Sequence, residues 1–278
     1  MSDVTPSFSQ RLRALQAQKH SVLCVGLDPD PARMPAHLFA DATAAEAIVA
    51  FCAAVIEATA PAAVAFKLNF AFFEALGAEG WRALEATRRM IPDDALTIAD
   101  AKRGDIGNSA RFYARSVFEH LGFDAVTVAP YMGRDAVVPF LAYPGRAAFV
   151  LARTSNPGAA DLQDCACHGE PLYLHVARRV AAWAEATPGE AGLVAGATDV
   201  VALHALRRAA PDLSLLIPGV GAQGGDPAAV MRAAGDGPVL INSSRQILYA
   251  DDGPGFAEAA GREAEALRQR LEAARITV

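Results

Sequence analysis

Three charged residues, Asp100, Lys102 and Asp105, lie close together where an apolar stretch ends. In an extended strand, residues two apart point to the same side, so we expect Asp100 and Lys102 to face the same way. Gly104 permits a sharp exit from the strand, which leaves Asp105 on the loop beyond. Buried charges are costly unless they pair or perform chemistry. An ammonium held between carboxylates can stabilise developing negative charge or donate a proton.

Further residues that could contact a ligand end other apolar runs of the sequence. They are Asp28, Lys67, Arg153, Pro218 and Ser243. One charge at the end of a strand can simply be solvated. Several strands that end in this way indicate a shared site, because enzymes with parallel barrels build their active sites at the carboxyl ends of the strands.

A glycine-rich stretch at 218–226 and Arg245 point to a bound anion. Glycine-rich backbone before a helix can present amide groups to a phosphate, and arginine adds a forked cationic donor. The same stretch contains Gly219-x-Gly221-x-x-Gly224, which matches a dinucleotide-binding pattern. That pattern normally opens the first strand–helix unit, whereas here it follows six such units, so a nicotinamide cofactor is disfavoured.

Strand-like and helical segments alternate from one end of the chain to the other. The apolar, β-branched runs predict strands at 22–28, 62–68, 96–102, 125–130, 147–153, 191–197, 213–218 and 238–243. Amphipathic patterns predict helices at 7–18, 42–60, 78–91, 108–121, 171–186, 198–210, 226–235 and 255–274. Asn108 or Ser109 is the expected cap of the helix that follows the charged segment.

Eight apolar strands alternating with helices in 278 residues predict a (β/α)8 TIM barrel, with a doubly wound open sheet as the alternative. Strands buried on both faces read as continuous apolar runs, as these do. No linker or shift in composition divides the chain, so we expect a single domain over 1–278. The long irregular stretch at 154–170 is expected to be a functional loop.

Composition limits the possible partners. The formal net charge is −6 and no block of Lys or Arg occurs, which gives a nucleic-acid partner little electrostatic support. The apolar runs are short and interrupted by charge, and the first residues do not read as a secretory signal. We therefore expect a cytoplasmic protein with no membrane partner.

The charged segment, together with Lys67, resembles the lysine–aspartate tetrad of the orotidine 5′-phosphate decarboxylase family. The motifs at 26–29, GLDP, at 154–158, TSNPG, and at 218–226, PGVGAQGGD, resemble other motifs of the family and occur in its order. The resemblance covers about residues 20–250, and the chain looks like the longer subgroup. One departure is Ser244, which stands where many members carry a glycine before the arginine.

The resemblance implies a role for each matched residue. Lys102, Asp100, Lys67 and Asp105 would be catalytic, and the substrate would be bound by Asp28, Ser109, Ser155, Pro218, Gln223, Ser244 and Arg245. Asp28 would contact the ribose, Ser155 the base, and Arg245 the phosphate. Gln223 would bridge phosphate and base. Asp105, with Ser109 nearby, would reach the active site of a partner subunit, which implies a homodimer with shared sites.

The implied reaction converts orotidine 5′-phosphate to uridine 5′-phosphate and CO2 in pyrimidine biosynthesis. Loss of CO2 from C6 leaves a carbanion that cannot delocalise into the ring, and most decarboxylases use a cofactor as electron sink. The sequence offers no evident cofactor site. We therefore expect a metal- and cofactor-independent reaction in which Lys102 stabilises the charge and donates the proton.

Two alternatives remain at the level of the sequence. A metal-dependent sugar-phosphate barrel can share the spacing of Asp100, Lys102 and Asp105, but the second strand ends in Lys67-Leu68-Asn69, where a metal site would want an acid. A non-catalytic phosphate-binding barrel is the other. A cluster of Cys165, Cys167 and His168 has too few evident partners for a structural zinc site, so no metal is expected there.

Overall fold

The computed structural model describes residues 6–221 and 224–276 of the chain. Its strands are β1 Leu23–Leu27, β2 Ala65–Asn69, β3 Leu96–Arg103, β4 Ala125–Val128, β5 Ala147–Arg153, β6 Ala166–Cys167, β7 Glu170–Pro171, β8 Glu190–Ala195, β9 Ser214–Pro218 and β10 Val239–Ser243. Its helices are α1 Phe8–Lys19, α2 Ala44–Thr59, α3 Phe70–Glu74, α4 Gly77–Met90, α5 Gly107–Arg115, α6 Arg134–Val137, α7 Leu172–Ala184, α8 Val200–Ala209, α9 Pro227–Ala234, α10 Arg245–Leu248 and α11 Phe256–Ile276.

Within these residues, eight parallel strands close into a barrel in the order β1-β10-β9-β8-β5-β4-β3-β2. All eight predicted strands are present, and the predicted (β/α)8 TIM barrel is confirmed. The open-sheet alternative is wrong, because the first strand, β1, pairs with the last, β10, as well as with β2, so that the sheet of eight strands closes and has no edge.

Helix α1 covers the amino-terminal end of the barrel. Phe8 and Leu12 are fully buried, and the ring of Phe8 packs edge-on against Phe149 of β5 with centroids 5.8 Å apart. Arg11 bonds to Asp124 at 2.7 Å, just before β4. The Gln16 amide donates to the carbonyl of Val239 at the start of β10. This end of the barrel is therefore closed by side chains rather than open to a ligand.

Two local predictions are corrected by the structure. Helix α5 begins at Gly107 after Ile106, and no side chain caps it, so the predicted cap at Asn108 or Ser109 is wrong. The stretch 154–170 is not wholly irregular, since it contains a 3-10 turn at Pro157–Asp161 and the antiparallel pair β6–β7.

No helix in the described part of the chain is both long and apolar enough to cross a membrane.

Candidate active site

Lys67 and Asp100 meet at the carboxyl end of the barrel because their strands are neighbours. In the register of β2 and β3, Asn69 lies opposite Asp100 and Lys67 lies opposite Ile98. Lys67 is therefore two residues before the position opposite Asp100, on the same side of β2 as Asn69. Lys67 Nζ donates to Asp100 Oδ2 at 2.7 Å and lies 3.9 Å from Asp28 Oδ1. Both residues are buried, with 4% of Lys67 and 9% of Asp100 exposed. A buried ion pair is thus built into the mouth of the barrel.

The other carboxylate oxygen of Asp100 is also occupied. Lys102 Nζ donates to Asp100 Oδ1 at 2.7 Å, and the hydroxyl of Thr127 on β4 donates to the same oxygen at 2.9 Å. Asp100 therefore holds two ammonium groups. The contact with Lys102 agrees with the expectation that residues two apart face the same way, but the sequence placed this ammonium between two carboxylates, whereas here one carboxylate lies between two ammonium groups.

The backbone of Lys102 departs from regular strand geometry. Its φ is +47°, in the left-handed region that non-glycine residues rarely adopt, and the register between β3 and β4 shifts between Ala99 and Arg103. The amide of Lys102 donates to the hydroxyl of Thr127 at 2.9 Å. About half of the Lys102 side chain remains exposed, at 51%. Backbone strain of this kind is characteristic of functional sites, and here it leaves an ammonium accessible at the barrel mouth.

The charges of the network stabilise one another. Burial by itself would lower the pKa of Lys67, but the carboxylates of Asp100 and Asp28 outweigh it and hold that pKa well above its usual value. Burial would likewise raise the pKa of Asp100, but Lys67 and Lys102 hold it well below the usual range. Lys67 and Asp100 therefore remain charged across the neutral pH range.

A cleft of about 150 Å³ opens beside this network. It is lined by Asp28, Lys67, Asn69, Asp100, Pro218, Gly219, Val220, Asn242, Ser243, Ser244 and Arg245. Four buried oxygens of these residues accept or donate no hydrogen bond within the described part of the chain: Asp28 Oδ1, Asn242 Oδ1, Ser243 Oγ and Ser244 Oγ. Buried polar atoms without partners are rare and costly, so their concentration here indicates a polar ligand.

Gly26 explains how β1 and the end of β10 come close enough to form the cleft. A Cβ on Gly26 would lie 2.9 Å from Ser244 Cβ and 3.1 Å from Asn242 Oδ1. Only the absence of a side chain allows this approach. The glycine of the GLDP motif therefore serves packing between strands, and the aspartate that follows it lines the cleft.

A second, more open depression adjoins the cleft at Arg245. It has a volume of about 590 Å³ and is lined by Arg33, Gly221, Arg245, Gln246 and Arg270. Three guanidinium groups around one depression form a strongly cationic surface suited to a phosphate. The sequence also predicts that the amino end of α9 binds a phosphate. The Asp226 carboxylate already caps this end by accepting from the amide of Ala229 at 2.9 Å, which makes it a weaker phosphate site than Arg245.

Most of the predicted site residues come together. Asp28, Lys67, Asp100, Pro218, Ser244 and Arg245 line the cleft, and Lys102 joins through Asp100. Ser155 packs against Gly196 beyond the end of β8, outside the lining of the cleft. Gln223 lies outside the described residues.

Asp105 and Ser109 are placed apart from the network. The carboxylate of Asp105 accepts from the amide of Ile106 at 2.7 Å, and no ion pair joins Asp105 to Lys102 within residues 6–221 and 224–276. Ser109 lies in the first turn of α5. One chain alone thus brings together three of the four predicted catalytic residues.

Sequence reasoning missed four residues that the structure adds: Thr127, Asn242, Arg33 and Arg270. Thr127 could have been found from its alternation with apolar neighbours in β4, which places its hydroxyl on the inner face. Arg33 and Arg270 carry no local signal, since they come from a turn and from the last helix.

A closed parallel barrel with a charged cleft at the carboxyl ends of its strands is the architecture of (β/α)8-barrel enzymes. Residues 21–260 match the model of the orotidine 5′-phosphate decarboxylase / HUMPS family, and the chain belongs to this family.

Individual relatives agree over nearly the whole chain. A Roseiflexus sp. (strain RS-1) protein named orotidine 5′-phosphate decarboxylase is 51% identical, over 96% of this chain and 98% of that protein. A Polaromonas naphthalenivorans protein of the same name is 49% identical, over 97% and 96%. The structure of a Leishmania donovani OMP decarboxylase is similar with a TM-score of 0.80 and 42% identity, over 95% of this chain and 100% of that one.

Proposed function

We propose that this chain decarboxylates orotidine 5′-phosphate to uridine 5′-phosphate and CO2, a step of pyrimidine biosynthesis, without a metal or a cofactor. The observation that carries the proposal is the Lys67–Asp100–Lys102 network, in a cleft lined with unpartnered polar atoms. The names of relatives about half identical over nearly the full chain support the same substrate.

Lys102 is the proposed proton donor. When the bond from C6 to the carboxylate breaks, the electron pair stays on C6 and CO2 leaves. The ammonium of Lys102, bonded to Asp100 and half exposed, would stabilise that pair and then transfer a proton to C6. Lys67 would keep Asp100 ionised and fixed, because its Nζ lies 2.7 Å from Asp100 Oδ2.

The chemistry of the donors supports a route without a metal. Both oxygens of Asp100 already accept hydrogen bonds from ammonium groups, at 2.7 Å each. Asn69, where a metal site would want an acid, uses its side-chain oxygen to accept from the amide of Ala71. A Mg²⁺ site requires several oxygen ligands that are free to bind the ion, and the side-chain oxygens of Asp100 and Asn69 are already engaged.

The phosphate of the substrate is proposed to bind at Arg245. Arg245 is shared by the cleft and by the adjoining depression, where Arg33 and Arg270 add positive charge. Gln223, which lies outside the described residues, is proposed from the resemblance as a bridge from phosphate to base. Binding energy from the remote phosphate can then hold the base against the charged network.

Asp28 and Ser155 are proposed to contact the ribose and the base. Asp28 Oδ1 has no hydrogen-bond donor within the described residues and lies 3.9 Å from Lys67 Nζ, so a ribose hydroxyl would satisfy it. Pro218 and Ser244 line the same cleft. Ser155 belongs to a loop outside the lining and would reach the base by moving over the cleft.

We also propose a homodimer in which Asp105 and Ser109 serve the partner's site. Large apolar side chains are exposed on this side of the barrel: Ile106, Phe112, Tyr113, Tyr131 and Met132. Exposed apolar surface of this kind marks protein interfaces. Asp105, which makes no ion pair within the described part of its own chain, lies next to Ile106 in this surface.

The remaining proposals concern the whole chain: a single domain, in the cytoplasm, with no nucleic-acid or membrane partner. The net charge of −6 and the four free cysteines support them.

The decisive test is an absorbance assay with orotidine 5′-phosphate in excess chelator. Turnover is expected with the wild type and is expected to fall by at least about 1000-fold in Lys102→Ala, the size of effect associated with loss of a proton donor plus a charge at the reacting atom. Folded protein that does not turn over would contradict the decarboxylase assignment. Turnover that requires added Mg²⁺ would favour the metal-dependent alternative.

Subunit exchange tests the shared site. Lys102→Ala and Asp105→Asn homodimers are each expected to be nearly inactive. Mixed dimers are expected to recover activity, because one of their two sites would contain both native residues. Absence of recovery, once mass spectrometry shows that mixed dimers have formed, would contradict a role for Asp105 in trans.

A further inference from the structure

A second group of chemically reactive side chains lies outside the cleft, in the long connection between β5 and α7. The Sγ of Cys167 and one ring nitrogen each of His168 and His175 lie within 4.8 Å of one another. The centroids of the two imidazole rings are 5.2 Å apart. One thiolate with two imidazoles is a donor set typical of Zn²⁺ and related transition metals.

The backbone brings these residues together through a tight hairpin. Strands β6 and β7 pair with Cys167 opposite Glu170, which leaves His168 and Gly169 as a two-residue turn. Both turn residues have positive φ, 52° and 84°, as a type I′ turn requires. Non-glycine residues are uncommon at positive φ, and histidine is one of the few that adopt it more readily, with asparagine and aspartate. The turn thereby places the His168 ring beside Cys167 and His175, which come from β6 and α7.

We propose that Cys167, His168 and His175 bind a divalent transition-metal ion of the Zn²⁺ class, with a fourth position open to water. Zn–S bonds of about 2.3 Å and Zn–N bonds of about 2.0 Å require the ligand atoms to approach by roughly 1 Å. His168 is exposed and the other two are half-buried, so changes of rotamer can provide this movement.

The neighbouring charges are compatible with a cation. Glu170 lies opposite Cys167 in the hairpin, and its carboxylate accepts from the Arg178 guanidinium at 2.8 Å. Glu170 is therefore an outer neighbour of the site, already held by Arg178, and water is left as the fourth ligand.

The site is connected to the loop that carries Ser155. The Gln163 side chain accepts from the amide of Thr154 and donates to its hydroxyl, both at 2.8 Å. The Gln163 carbonyl accepts from the amide of Tyr173 at the start of α7. An ion that ties the hairpin to α7 would fix both ends of this connection, and it would stabilise the folded loop by mass action.

The test is a Co²⁺ titration of untagged, reduced, full-length protein. We expect one equivalent to bind, with a near-ultraviolet absorption band from thiolate-to-cobalt charge transfer. Cys167→Ser is expected to abolish the band, whereas the neighbouring Cys165→Ser is the matched control and is expected to keep it. His175→Ala and His168→Asn, the latter suited to the turn, are each expected to weaken Co²⁺ binding by at least about 10-fold.

No charge-transfer band in the wild type, a band that persists in Cys167→Ser, or one lost in Cys165→Ser would each overturn the proposal. Unchanged Co²⁺ affinity in both histidine variants would do the same. Because the readout is metal binding, its failure is distinct from failure of the decarboxylase assignment.

Discussion

Thr127 positions the two charged residues of β3 at once. Its hydroxyl donates to Asp100 Oδ1 and accepts from the amide of Lys102, both at 2.9 Å. The second contact stabilises the left-handed backbone of Lys102, which a lysine would not adopt by preference. One hydroxyl thereby fixes the Asp100 carboxylate and the backbone of Lys102, which sets the direction of the Lys102 side chain.

Replacing Thr127 by valine is expected to lower kcat by about 10- to 100-fold, because displacement of a catalytic group by roughly 1 Å has an effect of this size. The shape of the side chain is preserved, so the protein should still fold. Thr127→Ser keeps the hydroxyl and is the matched control, expected to stay near the wild-type kcat. Steady-state kinetics on both variants checks this. A wild-type kcat in Thr127→Val, or a loss in Thr127→Ser alone, would show that the hydroxyl does not position the charged residues.

Because of the buried Lys67–Asp100 pair, we expect the free energy of unfolding to depend on pH. A lowered carboxyl pKa stabilises the folded state above the unfolded value of about 3.9, and this contribution is lost as the pH falls further. A raised lysine pKa stabilises the folded state below the unfolded value of about 10.4, and this contribution is lost at higher pH. The shifts of Asp100 and Lys67 thus favour folding most strongly between these two values.

Lys67→Met is therefore expected to reduce the free energy of unfolding by about 3–5 kcal/mol at pH 7, because it leaves a buried carboxylate without its main partner. The loss should be smaller at pH 3, where protonation of Asp100 becomes easier in the variant. Adding Asp100→Asn should recover part of the loss at pH 7. Urea unfolding at both pH values measures this, and an equal loss at pH 7 and pH 3 would contradict it.

At the scale of the elements, the cleft depends on how closely β1 and β10 approach. Gly26→Ala would place a methyl group 2.9 Å from Ser244 Cβ. Overpacking of this kind costs about 1–3 kcal/mol, and here the strain falls on residues that line the cleft. We expect lower stability together with a higher KM.

Gly255→Ala is the control for that substitution, since its Cβ would meet nothing nearer than Asp251 at 3.6 Å. The free energy of unfolding from urea titration and KM from steady-state kinetics separate the two effects. If Gly26→Ala were less stable but kept the wild-type KM, the residues at the end of β10 would not contribute to substrate binding.

At the scale of the whole molecule, α1 closes one end of the barrel while the charged cleft occupies the other. Phe8→Ala is expected to lower the free energy of unfolding by about 3–5 kcal/mol, because it removes a fully buried ring from the barrel interior. The kcat of the folded protein should stay unchanged, since α1 packs at the amino-terminal end of the barrel, opposite the charged cleft. Gln18→Ala, exposed on the same helix, is the control. A large fall in kcat for Phe8→Ala would show that the two ends are coupled.

The sequence by itself determined the eight strands, most of the helices and the charged positions at the strand ends. These signals are local: apolar runs mark buried strands, and alternation fixes which side of a strand Asp100 and Lys102 share. Asp28, Lys67 and Arg245 could be assigned to one face because parallel strands all end on the same side of a barrel.

Only the tertiary structure decided which groups touch. The contact of Thr127 with Lys102 depends on the register shift between β3 and β4, and the meeting of Arg33 with Arg270 depends on where a turn and the last helix pack. His175 joins Cys167 and His168 because a two-residue turn directs the hairpin back onto α7. Such contacts join residues far apart in the chain, and their geometry follows from packing, which no local pattern of residues encodes.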